Sequence, residues 1–452
     1  MKITVTAAEP QDSKLAATLT VSADDVTAAV KKAYKDIANK YRFQGFRKGR
    51  APRPVIDGLV GKDAVRAQAT EAILSAAEPL MLDQLDVVPV GNVDYGTEPN
   101  LVEDGKEYTA EATVTLRPDC GLSSYDAPEI NMPPAEATDA EVDEQIDILK
   151  GYHATFEDVE DDHAAAEGDV LTVDIENVEN GEPLVCEGRS YVVGSTSMGN
   201  AEADNALAGM KKGETKEVSF TTEGHDHTDP ETGETEHHDG VKVTVKVTAK
   251  DIKKRVIPEL DDEFAKKGFG FDTVAEFRDA VKDEITEDKK TSLPTLKENR
   301  VIEALAERLE LEEVPEDYRK QVFDEIAQDF LGQLQRQGTT LDAWLQARRI
   351  QISDFLEDLN NQAADRAKQS LALDALAKNL NLEATEEDVR SEFEKAGVKD
   401  VDASVKEFTE AGRMPAVRET IKRTKAVEWL VENAKVTEVD EIAEKRAAKD
   451  AE

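Results

Sequence analysis

Between two predicted helices the chain reads Tyr41-Arg42-Phe43-Gln44-Gly45-Phe46-Arg47-Lys48-Gly49-Arg50-Ala51-Pro52-Arg53-Pro54. This stretch carries five basic residues and no acidic one. Gly45 and Gly49 allow backbone angles that other residues avoid, so we expect Phe46-Arg47-Lys48 at the tip of a tight exposed loop. An exposed phenylalanine beside basic side chains suits a partner that carries phosphate or carboxylate groups. The residues alone leave open an ordinary connection between helices whose charges are merely solvated.

The segments that flank this loop mix strands with helices as far as about Leu116. Lys14–Val21 alternates like a strand, and Ser22 is predicted to cap the helix that follows. A second helix is predicted over residues 63–85 and a closing strand over residues 106–116. We expect Pro52 and Pro54 to stop the first helix from continuing. The apolar residues of that first helix recur at helical spacing, at Val26, Val30, Tyr34 and Ile37.

The rest of the chain changes its pattern twice. A Pro-rich linker at residues 126–134 and a predicted helix at 139–152 precede a β-rich region over residues 168–251. Beyond Pro258 the sequence is predicted to be almost wholly helical, and the charged residues 440–452 are expected to form a fraying helix or to be disordered. The clearest strand alternates valine with lysine and threonine at period two, at Val241, Val243, Val245 and Val247.

Composition excludes several classes of protein. The chain has 452 residues with 56 Lys and Arg against 97 Asp and Glu, a formal net charge of −41. Such a chain repels nucleic acids and anionic membranes as a whole, so contact with either requires a local basic patch. Cys120 and Cys186, the two cysteines, cannot build a disulfide scaffold or a cysteine zinc site. No apolar run approaches the roughly 18 residues of a membrane span, so we expect a cytoplasmic protein without a membrane partner.

Gly45-Phe46-Arg47-Lys48-Gly49-Arg50-Ala51-Pro52 closely resembles the ribosome-docking signature of the bacterial trigger factor family, and residues 417–430 are also similar to that family. The resemblance covers nearly the whole chain. It implies a multidomain α+β fold with an α/β-mixed ribosome-binding domain, an FKBP-like antiparallel β domain and an elongated all-α carboxyl-terminal domain. The implied boundaries are 1–116 for ribosome binding, 117–164 for a linker and the first helix of the helical domain, 165–251 for the β domain, 252–440 for the helical domain and 441–452 for a charged tail.

The resemblance also implies a function. It predicts an ATP-independent chaperone that docks on the large ribosomal subunit at the exit tunnel, binds nascent and unfolded polypeptides, supports folding and export, and needs no cofactor. No phosphate-binding loop of the Walker type is present. A weak homodimer off the ribosome is a further expectation. The implied ribosome-binding residues are Arg42, Gly45, Phe46, Arg47, Lys48, Gly49 and Arg50, and the predicted client-binding residues of the helical domain are Phe323, Phe330, Leu334, Trp344 and Phe355.

The β domain of the family is an FKBP-type peptidyl-prolyl isomerase, which implies an apolar pocket here. Such a pocket favours a twisted amide over a planar one and needs neither acid, base nor metal. The sequence retains the frame better than the pocket, because Leu184 stands where a phenylalanine is expected and residues 200–203 replace the usual floor. The residues assigned to this degenerate pocket are Asp174, Ile175, Leu184, Tyr191, Val192 and Leu207.

Four of the six histidines lie close together, at His225, His227, His237 and His238. A hairpin with its turn near residues 229–233 would bring the two pairs together in a geometry that suits zinc or nickel. The simpler interpretation is a solvated acidic flap, and we assign no metal.

Two other functions remain open from the residues alone. A stand-alone proline isomerase would keep its activity after deletion of residues 1–116. A general RNA-binding protein would use the basic loop on naked RNA and would bind in a salt-sensitive way.

Overall fold

The computed structural model describes residues 1–450 except 98–99, 161, 182–183, 195–200, 222–224, 229–234, 239–240 and 349. The side chains of residues 201–202, 225–228, 235–238 and 449–450 also lie outside the described part. No helix in the described ranges is long and apolar enough to cross a membrane.

The described elements alternate between short sheets and long helices. The strands are β1 (Ile3–Ala7), β2 (Lys14–Val21), β3 (Tyr108–Thr115), β4 (Glu129–Met132), β5 (Thr155–Asp158), β6 (Val170–Glu179), β7 (Cys186–Val192), β8 (Thr215–Thr221), β9 (His225–Thr228), β10 (Thr235–His238), β11 (Lys242–Val256) and β12 (Lys435–Glu438). The helices are α1 (Ala23–Lys40), α2 (Arg53–Val60), α3 (Lys62–Leu85), α4 (Asp139–Tyr152), α5 (Ala201–Leu207), α6 (Asp262–Phe264), a π-helical turn (Ala265–Phe269), α7 (Val274–Ala306), α8 (Glu316–Arg336), α9 (Leu341–Arg348), α10 (Ile352–Asn379), α11 (Glu386–Lys395), α12 (Val401–Glu410), α13 (Met414–Asn433) and α14 (Glu441–Asp450).

The chain divides into two compact units. The first contains Met1–Ile130 and Leu296–Thr437, and the second contains Asn131–Thr295 and Glu438–Glu452. Together they give the multidomain α+β fold that the sequence predicts, with an amino-terminal α/β region, a central antiparallel sheet and a helical carboxyl-terminal region.

The amino-terminal part of the first unit is a three-stranded antiparallel sheet covered by helices. The strand order is β1-β2-β3, and alternation turns every second residue of β2 towards the core. The Ser22 hydroxyl accepts a hydrogen bond from the Asp25 amide at 3.3 Å, which confirms the predicted cap of α1. The predicted stripe of α1 is confirmed at Val26, Val30 and Ile37, which are buried against α3 and the sheet.

One helix in this region was not predicted. Pro52 and Pro54 were expected to stop the first helix, but α1 already ends at Lys40, and instead Pro52 is the cap of α2 and Pro54 lies in its first turn. Proline is accepted there because the first amides of a helix have no partner inside the helix. The prolines therefore start a helix at the exit of the loop.

The second unit is built around a five-stranded antiparallel sheet. Its order is β5-β11-β6-β7, and β8 also pairs with β11. The valines at 243, 245 and 247 lie in the core of this sheet, as their alternation predicts. The Pro-rich linker contains the unpredicted strand β4, and residues 441–450 form a helix, the first of the two alternatives for the tail.

An ion network joins the amino-terminal sheet of the first unit to its helices. Arg423 of α13 donates to both carboxylate oxygens of Asp374 on α10, at 2.6 and 2.7 Å. Arg117, which follows β3, donates to the same carboxylate at 3.0 Å and also to Glu419. Burial raises the pKa of Asp374 to about 7, and the neighbouring Arg117 opposes this rise.

The network predicts how Arg423→Gln changes the free energy of unfolding. We expect a loss of about 1–3 kcal/mol, between the values of exposed and buried ion pairs, because the Asp374 carboxylate loses both hydrogen bonds from one of its two guanidinium partners. The folded chain takes up a proton at Asp374 as the pH falls through about 7, so this group's contribution to stability decreases as the pH rises through that value. Asp374 is ionised at pH 8 and protonated at pH 5.5, so it interacts more strongly with Arg423 at the higher pH. The stability lost in Arg423→Gln should therefore be larger at pH 8 than at pH 5.5.

Urea unfolding of the full chain at both pH values measures this effect. Arg423→Lys is the matched control, because it keeps the charge and loses only the two-point contact. An equal loss at the two pH values would show that Asp374 does not titrate between them.

Candidate functional site

The basic loop between α1 and α2 consists of two successive turns. The Phe46 amide donates to the Phe43 carbonyl at 3.2 Å, and the Arg50 amide donates to the Arg47 carbonyl at 2.9 Å. Gly45 and Gly49 have φ angles of 83° and 80°, so both occupy the left-handed region as predicted. Residues 46–48 therefore lie where these two turns meet.

Two contacts tie the docking loop, residues 42–50, to the body of the domain. The Gly49 amide donates to the Ala38 carbonyl in the last turn of α1 at 2.9 Å. A Cβ atom at position 49 would lie 2.3 Å from Oδ1 of Asn39, so the site has no room for a side chain unless Asn39 moves. Phe43 is 4% exposed and packs into the core below the loop. The loop is therefore held at its base while its tip remains free.

The tip presents one apolar side chain among unpaired cations. Phe46 is 40% exposed. The side chains of Arg42, Arg47, Lys48 and Arg50 are exposed as well. None of these four forms an ion pair with an acidic side chain in the described part of the chain. Their charges are available to an external anion.

Arg53, the fifth basic residue of the stretch, has a different role. Its Nη1 atom lies 2.8 Å from Asp104, and its guanidinium lies 4.7 Å from the ring centre of Tyr34. The Tyr34 hydroxyl donates to Asp57 at 2.6 Å. Burial and this acceptor raise the pKa of Tyr34 to about 12. Arg53 thus contacts Asp104 and Tyr34 at the start of α2, and its charge is paired although its side chain is 46% exposed.

Sequence reasoning overlooked the basic residues that precede the loop. The side chains of Lys31, Lys32, Lys35 and Lys40 on α1 are all exposed. Lys31 and Lys35 lie one turn apart, and this four-residue spacing of like charges was visible in the sequence.

The predicted pocket residues of the β domain lie on both faces of its sheet. Ile175, Tyr191 and Leu207 are at most 3% exposed and share one core. Asp174 points to the other face, as neighbouring residues of a strand must. There its carboxylate lies 2.7 Å from Nζ of Lys250 and accepts from the Gly188 amide at 2.8 Å. These contacts, with Lys250 first, lower the pKa of Asp174.

The remaining pocket residues are only partly buried. Leu184 packs at the edge of the same core, and Val192 is of intermediate exposure. Sequence reasoning missed Met210 and Phe220, which join Tyr191 and Leu207 in that core. Of the replaced floor at residues 200–203, residue 200 and the side chains of residues 201 and 202 lie outside the described part, and Ala203 is buried in the same core.

Three of the predicted client-binding residues form one aromatic cluster. The rings of Phe330, Trp344 and Phe355 have centres 5.1 to 5.8 Å apart and connect α8, α9 and α10. We call them the tip cluster. Phe323 packs elsewhere, against the core around Tyr318, and Leu334 is buried.

The histidine segment forms the expected hairpin at the level of the backbone. Strands β9 and β10 pair so that His225 is opposite His238 and His227 is opposite Glu236. The side chains of all four histidines, His237 included, lie outside the described residues. Within the described side chains, no group of three or more His, Cys, Asp or Glu residues could hold a metal ion.

Comparisons with known proteins assign the family. Residues 1–149 match the family model described as bacterial trigger factor protein, and residues 273–432 match the model of the trigger factor C-terminus. The trigger factor of Lysinibacillus sphaericus is 31% identical over 433 residues, covering 93% of this chain and 96% of the relative. The trigger factor of Carboxydothermus hydrogenoformans is also 31% identical, covering 96% of this chain and all of the relative.

A solved structure concerned with promiscuous substrate recognition by the trigger factor chaperone is 20% identical to this chain. The match covers 95% of this chain and 99% of the chain in that structure, with a TM-score of 0.34. The family assignment therefore depends on the sequence comparisons. On those comparisons, the chain belongs to the bacterial trigger factor family, whose members are chaperones that act on nascent chains at the ribosome.

Proposed function

We propose that residues 1–116 dock this chaperone on the large ribosomal subunit through the docking loop. The supporting observation is the exposed Phe46 at a tip whose base is fixed by Gly49 and Phe43. A fixed base lowers the conformational entropy that the loop loses on binding. The unpaired cations around Phe46 suit ribosomal RNA phosphates, and the ring suits an apolar contact.

Replacing Phe46, Arg47 and Lys48 by alanine tests the docking proposal. We expect at least a roughly 10-fold loss of affinity for bacterial ribosomes, because phosphate contacts and the apolar contact are removed together. The loss should shrink as salt is raised. Co-sedimentation with ribosomes across a salt series measures it.

Arg53→Gln is a control for general damage to this region. It removes a cation from the same stretch but one that already pairs with Asp104. Equal binding by the triple variant and the native chain would overturn the docking proposal.

We propose that the helices of the residue 252–440 domain hold unfolded clients around the tip cluster. Leu331 and Leu356 immediately follow Phe330 and Phe355, and they are 42% and 37% exposed. Ile352, at the start of α10, is 50% exposed. Ring packing fixes the helices, and the neighbouring aliphatic side chains remain available for apolar contacts. Weak apolar contacts of this kind suit clients of unrelated sequence.

Substitution of Leu331 and Leu356 by serine tests the client surface. Both side chains are exposed, so we expect the free energy of unfolding to stay within about 0.5 kcal/mol of the native value. The delay of aggregation of an unfolded client should become shorter, because apolar contact area is lost. Light scattering during dilution of a denatured protein measures this delay.

The matched control replaces Leu59 and Leu101, exposed leucines of the amino-terminal part, by serine. An equal effect of both pairs would mean that general surface hydrophobicity, rather than the tip, holds the client.

We propose that the β domain adds a weak peptidyl-prolyl isomerase activity. Support comes from the family and from the apolar core that includes Ile175, Tyr191 and Leu207. These side chains are almost fully buried, so little of the Tyr191 ring is available to contact a substrate. Uncatalysed isomerisation takes tens of seconds, so even a weak catalyst shortens a slow folding step.

Isomerisation of a short prolyl peptide by the full chain tests this proposal. We expect a small acceleration that Asp174→Asn leaves unchanged, because Asp174 faces Lys250 on the other side of the sheet and the reaction needs no acid or base. Loss of the acceleration in Asp174→Asn would place Asp174 in the reaction, and a rate equal to the uncatalysed one would remove the isomerase proposal.

A further inference from the structure

Helix α1 carries a basic face that the docking signature does not include. Its apolar residues, such as Val26 and Val30, are buried in the domain core, while the opposite side exposes Lys31, Lys32 and Lys35. We define the basic face of α1 as Lys31, Lys32 and Lys35; Lys40 lies on another side of the helix and leads into the loop. Lys31 and Lys35 are about 6 Å apart along the helix axis.

This basic face continues directly into the docking loop. Between residues 31 and 50 the chain has eight basic residues and one acidic residue, Asp36, although the whole chain has a net charge of −41. The hydrogen bond from the Gly49 amide to Ala38 holds the end of the loop against the last turn of α1. The lysines of α1 and the cations of the loop therefore belong to connected parts of one domain surface.

The cations of this surface are not used within the fold. Among the described residues, no acidic side chain forms an ion pair with any member of the basic face, and Lys40 contacts only the ring of Tyr41, at 5.7 Å. Other cations of the same domain do pair, as Lys106 does with Glu103 at 2.6 Å. Because the Debye length is roughly 8 Å at physiological salt, more distant acidic groups do not cancel this local charge.

The chemistry of the face favours phosphates over a protein surface. It consists of lysines, and no large apolar side chain is exposed on α1 between Ala23 and Lys40. The cores of protein interfaces are poor in lysine and rich in aromatic residues and methionine. Flexible ammonium groups bind phosphates as point charges and require no shape match.

We propose that the basic face of α1 contacts the phosphate backbone of ribosomal RNA beside the docking loop. This inference rests on the proposed docking function and names the partner of a second part of the docking surface. The loop supplies an apolar anchor with cations around it. The helix supplies a sequence-independent electrostatic contact, which orients the domain on the ribosome.

The test compares the ribosome affinity of Lys31→Gln/Lys35→Gln with that of the native full-length chain across a salt series. Each phosphate contact contributes about 0.7–0.9 to the slope of log K against log salt, so the slope should flatten by roughly 1 to 2 units. Asp36→Asn, which removes the acidic residue beside these lysines, should raise the affinity and not flatten the slope. The matched control is Lys395→Gln/Lys406→Gln, which changes the net charge equally on exposed positions of α11 and α12.

The outcomes separate this inference from the docking proposal. A flattened slope in the Lys31/Lys35 variant, with the control unchanged, supports the RNA contact. An unchanged slope overturns the RNA contact, even if the affinity falls. A loss of affinity without a change of slope would indicate a partner other than phosphate. The docking proposal itself is judged by the Phe46/Arg47/Lys48 variant, whose loss of binding is independent of the Lys31/Lys35 result.

Discussion

The carboxylate of Asp374 receives hydrogen bonds from two guanidinium groups that lie far apart in the sequence. Arg117 ends the amino-terminal sheet and Arg423 lies on α13, so one charged group of α10 joins three separate segments. A second set of contacts, from Arg418 to Asp83 and Asp86, connects α13 to the end of α3. Paired charges therefore act together with apolar packing, such as that of Val90 against Tyr318, to join the amino-terminal part to the helices that carry the tip cluster.

The distribution of charge explains how one acidic chain can bind an anionic partner. The net charge of −41 favours solubility for a protein that also exposes apolar side chains. Cations within the ion network are consumed by neighbouring acids, as Arg117 and Arg423 are. Those of α1 and the docking loop have no such partners in the described ranges, so their positive charge remains available to an external anion. An acidic chain can therefore offer a local site for a polyanion even though its net charge is negative.

The elements that the sequence predicted correctly depend on residues that are close together in the chain. The alternation of Lys14–Val21 and the cap at Ser22 act over a few residues, and both are present. Helix α2 was missed because Pro54 disrupts a helix interior but is tolerated in a first turn. The ion network could not be predicted, since Arg117 and Asp374 are 257 residues apart and only the tertiary fold brings them together. The opposite directions of Asp174 and Ile175, by contrast, follow from strand alternation and were available from the sequence.

Both proposed binding surfaces must keep an apolar side chain exposed. An exposed apolar side chain is useful only if its neighbours keep it from collapsing into the core. At the docking loop, Phe43 fills the core position and the turn after it leaves Phe46 outside. At the tip cluster, the rings of Phe330 and Phe355 pack in a tilted arrangement with centres 5.2 Å apart, and the residues that follow them on α8 and α10 remain exposed. Phe43 is buried, whereas Phe330 and Phe355 are only partly buried. In both places a packed aromatic ring lies near the exposed residue, so substituting the packed ring should affect stability and binding together, whereas substituting the exposed residue should affect binding alone.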